Sequence, residues 1–227
     1  MGKVNEESPT SSSTTPICRC RVMYLGSAVP HVTKDGLQGI QEPLRDLYPE
    51  QGALASGTSG IDSWLSVWSN GILVENVDNH GREVKRFYPI ESLHYCAAVR
   101  YVVVPGTTTL NNNNNNNINN SANNNCSPST SSNEKVAKFL PLDSPFSRHA
   151  DTSHPPLFAC ILRRTTGIKV LECHAFICKR EAAANALVRC CFHAYADTIH
   201  AKQIQNENPY SQLEGRRSTS ISAIETV

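Results

Sequence analysis

Trp64-Leu65-Ser66-Val67-Trp68-Ser69-Asn70-Gly71-Ile72-Leu73-Val74-Glu75-Asn76-Val77 decides the fold class. Two β-prone runs flank an Asn-Gly pair. Such a pair is the strongest short-range hairpin signal, because both residues of a tight two-residue turn then take positive φ. The spacing predicts two antiparallel strands joined at Asn70-Gly71. Outward from that hairpin the same pattern repeats. Residues 21–29 are short, apolar and stopped by Pro30; residues 83–93 follow a turn at Asn79-His80-Gly81. Residues 94–104 form a further strand, closed by Pro105-Gly106. Residues 157–164 and 168–177 pair around Thr165-Thr166-Gly167. A short helix is expected over 37–47, with Pro43 at its start or its break. The reading is roughly seven antiparallel strands.

The last element is of another kind. Residues 179–200 contain no Gly or Pro and are rich in Ala, so a helix is expected. At about 100° per residue, Ala183, Leu187, Cys190, Cys191 and Ala194 make one apolar stripe. Val188, Phe192, Tyr195 and Ile199 lie along one flank of it. A helix needs only the first stripe to cap a sheet, so the flank is free to line something beside it.

Composition sets limits on the rest. The 227 residues carry 21 Lys and Arg against 20 Asp and Glu, a net charge of +1. That argues against a nucleic-acid partner, which needs a basic surplus or stripe. No run approaches the roughly 20 apolar residues of a membrane span, and no basic-then-apolar leader opens the chain. Nine cysteines, odd in number and unevenly spaced, read as core thiols of a cytoplasmic protein rather than a disulfide framework. Cys18-x-Cys20 and Cys173-His174 with Cys178 lack zinc-knuckle spacing, so no metal is expected. Cys190 and Cys191 should point to different faces of their helix. Residues 1–17 are expected to be a disordered arm, and 201–227 a disordered tail. Residues 111–125 contain 12 asparagines, and prolines continue to Pro156. Residues 106–155 therefore read as a disordered insertion looping from the domain, with no regular structure resuming before about 157.

The fold class expected is α+β, mainly β: a seven-stranded antiparallel sandwich or partly open barrel capped by a C-terminal helix. Particular residues also carry a family resemblance. They are Tyr24-Leu25-Gly26, Ser69-Asn70-Gly71-Ile72, the run of Pro89, Ile90, Leu93, Cys96 and Ala97, and Cys173-His174-Ala175-Phe176 leading into Ala186-Leu187 and Phe192. In that order the chain resembles a phosphotyrosine-binding (PTB, or phosphotyrosine-interaction) domain of the pleckstrin-homology-like superfold, over residues 18–200 apart from the insertion. The resemblance implies a non-catalytic, monomeric adaptor without a cofactor. Such a domain takes an extended Asn-Pro-x-Tyr-like peptide, for instance from a partner's cytoplasmic tail, as an added strand on its fifth strand. Here His94, Tyr95, Cys96, Ala97, Ala98, Val99 and Arg100 would pair with the ligand. Phe192, with Val188 and Tyr195, would wall the groove. Small Ala97 and Ala98 suit close backbone approach, although an Ala-Ala pair and a Phe also suit ordinary core packing.

Phosphate recognition wants a bidentate arginine or two converging cations. The candidates are Arg19, Arg21, Lys34, the pair Lys85-Arg86 and the pair Arg163-Arg164. Adjacent pairs on a strand face opposite ways, so a phosphate-independent ligand is expected. The rival class is a membrane-surface domain, recruited to the membrane periphery by an anionic phosphoinositide held by Lys34, Lys85 and Arg86. No Gly-rich phosphate loop, His-Glu metal motif or Ser nucleophile elbow occurs, so no catalytic residue is assigned. In the tail, Arg216-Arg217-Ser218, Asn208-Pro209-Tyr210 and the ending Glu225-Thr226-Val227 match kinase, ligand and PDZ patterns only weakly.

Overall fold

The computed structural model describes residues 15–48, 60–77, 80–105, 135–148 and 153–207. The first part of the N-terminal arm, the asparagine tract and the three tail motifs lie outside the described residues.

A single antiparallel sheet of eight strands runs β4-β3-β2-β1-β8-β7-β5-β6 and is left open. Its strands are β1 (Cys18–Ala28), β2 (Ile61–Trp68), β3 (Gly71–Val77), β4 (Glu83–Pro89), β5 (Leu93–Pro105), β6 (Lys135–Pro141), β7 (Leu157–Arg163) and β8 (Leu171–Cys178). The helices are α1 (Gly36–Gly39), α2 (Gln41–Leu47), α3 (Pro145–Arg148) and α4 (Glu181–Glu207). The α+β, mainly β class with a closing C-terminal helix is as expected; the strand count is eight rather than seven.

Two boundaries differ from expectation. The segment expected to be a structureless insertion contains β6 and α3. β6 pairs with β5 from Val99↔Pro141 to Pro105↔Lys135, and it buries Phe139. The C-terminal helix also runs past residue 200, where a disordered tail was expected to start. Residues 201–207 contain no Gly or Pro, so nothing in them stops it.

Two hydrophobic cores explain why some strands read as alternating and others as continuous. The inner face of the sheet packs Val22, Leu65, Val67, Ile72, Val74, Phe158, Cys160 and Phe176 under Ala184, Leu187, Cys191 and Ala194 of α4. The opposite face of β5, β7 and β8 packs Val99, Tyr101, Ala159, Ile161 and Ala175 under Ile40 and Leu44 of the short helices. β7 is therefore buried on both faces, which is why Leu-Phe-Ala-Cys-Ile-Leu has no polar alternation. α2 tolerates Pro43 because it stands in the first turn, where a missing N–H costs nothing.

The β2–β3 hairpin forms one residue earlier than expected. Trp68 pairs with Gly71, so the turn residues are Ser69 and Asn70, and neither has positive φ. Gly71 also lacks positive φ; it is required by crowding instead. A Cβ there would stand 2.3 Å from Phe87 Cζ and 2.5 Å from the Tyr88 carbonyl oxygen.

Candidate functional site

β5 is one strand with two different edges. On one side Leu93 to Val99 pair with β7, with a register shift at His94. On the other side β6 covers only Val99 to Pro105. The Leu142 N–H, just beyond β6, donates to the Ala98 carbonyl at 3.2 Å and marks the end of that cover. Among the described residues, Tyr95, Cys96 and Ala97 thus have strand partners on one side alone, and His94, at the register shift, has none. They offer unpaired backbone groups that an extended chain can use.

α4 lies alongside this edge and runs antiparallel to β5. Glu181, in its first turn, ion-pairs with Arg100 at 2.8 Å. In the middle, Cys96 packs against the core that contains Cys191. Lys202, toward the end, pairs with Glu91 just before β5 at 2.8 Å. Phe192 lies about 20° from Glu181 around the helix axis and about 160° from Cys190. Glu181 points to β5 while Cys190 packs against the core that Cys18 of β1 also joins, so the flank of Val188, Phe192, Tyr195 and Ile199 is turned to β5. Phe192 is 69% exposed and Tyr195 37% exposed, whereas Leu187 and Cys191 are fully buried. Phe192 is therefore not core packing. Two adjacent walls result: a bare strand edge and an apolar helix flank.

The seven β5 residues expected to meet a ligand divide here. His94 is exposed; its Nε2 accepts from Arg163 Nε at 3.2 Å. Burial, then the Arg163 charge, holds its pKa below the usual value. Tyr95 and Ala97 lean on the α2-side core, Cys96 and Ala98 on the α4-side core, all half-buried. The two alanines thus serve the packing as well as the edge. Val99 and Arg100 do not belong to the open edge. Val99 is fully buried between Leu157 and Pro141. The Arg100 guanidinium donates to the Ser147 carbonyl at 2.8 Å and pairs with Glu181, which closes the groove at that end.

At the other end lies a cleft of about 280 Å³ lined by Pro89, Glu91, Ser92, Arg163, Arg164, Thr165 and Lys169. Arg163 bonds His94, and Arg164 is ion-paired with Glu172. Three cations thus gather beside the start of β5. Sequence reasoning weighed Arg163 and Arg164 as a pair and missed the cleft, because Lys169 and the turn before β5 come from other elements.

The residues considered for phosphoinositide do not converge. Lys85 is on the outer face of β4, bound to Glu75 at 3.3 Å and Glu83 at 3.6 Å, which raise its pKa. Arg86 faces the opposite way, toward Tyr24, Tyr88 and His174. Lys34 is in the loop before α1, and nothing among the described residues brings it to either. A larger cleft, about 500 Å³, lies outside β1–β4 and includes Arg19, Arg21, Trp64, Glu75 and Lys85. Its cations are already partnered: Arg19 with Glu75 and the Trp64 ring, Arg21 with Asp62. Its charges are committed, and we place the candidate site at β5 and α4.

A scan of the chain against protein-family models finds no match, and a search of curated proteins finds none. Among the described residues no helix is long and apolar enough to cross a membrane, and no group of three or more His, Cys, Asp or Glu side chains is placed to hold a metal.

Proposed function

We propose that this chain is a PTB-like, non-catalytic adaptor domain that binds an extended peptide of a partner protein by strand addition. The peptide pairs with His94, Tyr95, Cys96 and Ala97 of β5, and its apolar side chains rest on Val188, Phe192 and Tyr195. The observation that carries this reading is the coincidence of a bare half-strand with an exposed phenylalanine on the adjoining helix flank. A strand edge supplies affinity through main-chain hydrogen bonds, and a flanking apolar wall supplies selectivity. An antiparallel peptide enters at the Ala98 end and leaves toward the His94 end, where a terminal Asn-Pro-x-Tyr turn would sit. Because Lys85 is committed and Arg86 faces away from it, we prefer the peptide to a lipid headgroup.

The test is titration of the full chain with a fluorescein-labelled Asn-Pro-x-Tyr peptide, unphosphorylated and phosphorylated, beside sedimentation with phosphoinositide vesicles. Phe192→Ala should fold normally, since the ring is mostly in solvent, and should lose about 30-fold in affinity, roughly 2 kcal/mol for an anchor ring. Leu187→Asp should unfold the domain by burying an unpaired carboxylate. Wild-type affinity in a folded Phe192→Ala protein, or binding to vesicles alone, would overturn the assignment.

A further inference from the structure

The turn between β7 and β8 reads Arg163-Arg164-Thr165-Thr166-Gly167-Ile168-Lys169. The last rung across it is the Arg164 N–H donating to the Val170 carbonyl at 2.9 Å. The five residues between, 165–169, are all exposed. Gly167 takes φ of +72°, which carries the chain round the bend without side-chain strain. Among the described residues neither threonine hydroxyl has a hydrogen-bond partner. Two arginines stand three and two residues before Thr166. Basophilic Ser/Thr kinases select that spacing, because carboxylates in their substrate groove each take a guanidinium while the acceptor hydroxyl reaches the active site.

We propose that Thr166 is a phosphorylation site for a basophilic Ser/Thr kinase, and that its phosphate enters the three-cation cleft beside β5. Thr165 is the poorer acceptor: three residues before it stands Leu162, apolar and 2% exposed. Thr165 does line the cleft, together with Arg163, Arg164 and Lys169, so a phosphate on the next residue has its seat close by. Among the described residues Lys169 has no ion-pair partner. Arg163 is bonded only to the ring nitrogen of His94, at 3.2 Å. A phosphate carries close to two negative charges at pH 7 and is the stronger partner for both cations.

The transfer takes its phosphoryl group from ATP. Thr166 Oγ1 bonds to the γ-phosphorus, its proton passes to the base of the kinase, and the bond from that phosphorus to the β,γ-bridging oxygen breaks. ADP leaves, and the threonine is left as its phosphate ester. The hairpin need not unfold for this, because residues 165–169 stand outside the last rung. Once in the cleft, the phosphate draws Arg163 away from His94 and leaves the ring beside an anion in place of a cation. The modification does not require that the groove take a peptide.

The test incubates the full chain with magnesium ATP and the catalytic subunit of cyclic-AMP-dependent protein kinase, then digests with chymotrypsin and maps phosphate by mass spectrometry. Cleavage after Leu162 and Leu171 should release residues 163–171 with one phosphate, on Thr166, and none in Thr166→Ala. Residues 214–227 come off separately and hold Arg216-Arg217-Ser218-Thr219, the same spacing in the tail. Arg163→Gln should slow labelling of 163–171 by about tenfold or more, through loss of a charge-assisted contact with the kinase, and leave 214–227 unchanged. The seat is read by proton NMR: the His94 titration midpoint, held down by burial and by the Arg163 charge, should rise in the phosphorylated chain. Phosphate on Thr165 instead, or none in 163–171 while an added Arg-Arg-Ala-Ser peptide is labelled, would overturn the site. An unchanged rate in Arg163→Gln would overturn the kinase class, and an unmoved His94 midpoint would overturn the seat. Should Arg163→Gln fail to fold by circular dichroism, the wild-type and Thr166→Ala maps decide the site.

Discussion

The sheet has two ends, and they are finished differently. β4 closes one end with Glu83, Lys85 and Arg86 along it and Pro89 at its close. At the other end β6 carries Lys135, Lys138 and Pro141, but covers only the second half of β5. The uncovered half runs through Tyr95, Cys96, Ala97 and Ala98 without a charge or a proline. Charged residues and prolines are the usual means of keeping a strand edge from pairing with another chain. Among the described residues they are present on both outer strands and missing where the edge faces the apolar flank of α4. An edge left undefended beside an exposed Phe192 is best understood as one with a use.

The contrast between the two halves of β5 depends on the cover that β6 provides. Phe139 of β6 is 1% exposed, with its ring edge-on to Tyr48 and Tyr101 at centroid distances of 5.8 and 5.5 Å. Its backbone N–H donates to Gln41 Oε1 at 3.0 Å and its carbonyl accepts from Gln41 Nε2 at 2.8 Å. Phe139→Ala should cost about 3–5 kcal/mol by urea denaturation, since it leaves a cavity in the second core. A cost under about 1 kcal/mol would mean that β6 is dispensable and that the whole of β5 can be bared.

β6 is also where the sequence was least legible. Lys-Val-Ala-Lys-Phe-Leu-Pro is short, carries two lysines, and follows a polar tract with no patterning. Its only warrant is tertiary: one side pairs with β5, and Phe139 is gripped by Gln41 from 98 residues away. The hairpin at residues 68–71 was legible as a turn but not in register. Asn-Gly marks a turn by local conformation, while the register follows from Gly71 letting the Phe87 ring and the Tyr88 carbonyl close in. α4 was readable because its apolar stripe is local, and so was the exposed flank containing Phe192. Which half of β5 stays bare could not be read, because a later strand decides it.

The β4 end is held through an aromatic cluster around His174. Tyr88 packs edge-on against His174 of β8 with ring centroids 5.0 Å apart, and Tyr24 of β1 shares a 3.0 Å hydrogen bond with His174 Nδ1. His174 is 2% exposed. Burial first, with Arg86 adding and Glu172 opposing, lowers its pKa to about 4. Above its unfolded value near 6.5 the ring is neutral in both states and costs nothing. As the pH falls below that, the unfolded chain takes up a proton that the native ring refuses until about 4. Stability should therefore fall between these values by about 3 kcal/mol, at 1.36 kcal/mol per unit of pKa difference. Denaturation midpoints at pH 7, 5.5 and 4.5 would show it. The drop should be smaller in His174→Gln; an identical pH dependence would assign it to other groups.

Gly71→Val tests the same end with a smaller effect. The added side chain must push Phe87 and the Tyr88 backbone away from β3, loosening β4, at about 1–3 kcal/mol for overpacking. The strain comes from crowding and not from φ, so Gly71→Ala should already show much of the loss. An unchanged midpoint for the valine variant would mean that β4 is loosely attached and that its edge is not fixed.

The smallest expected change in stability asks whether charge alone separates the two edges. Glu83 and Lys85 stand on the outer row of β4, mostly in solvent and paired with each other at 3.6 Å. Replacing both, as Glu83→Val with Lys85→Val, leaves the inward residues Val84, Arg86 and Tyr88 untouched, and the melting midpoint should stay near that of wild type. The edge itself would change character, becoming a β-branched strand with free backbone groups and one remaining charge, which is a template for pairing. Sedimentation velocity over a concentration series should then show association in the double variant that wild type lacks. A variant that stays monodisperse would show that twist or the close at Pro89, rather than charge, protects β4. In that case the absence of charge on the bare half of β5 would no longer argue for a ligand, and the case for the groove would rest on Phe192 alone.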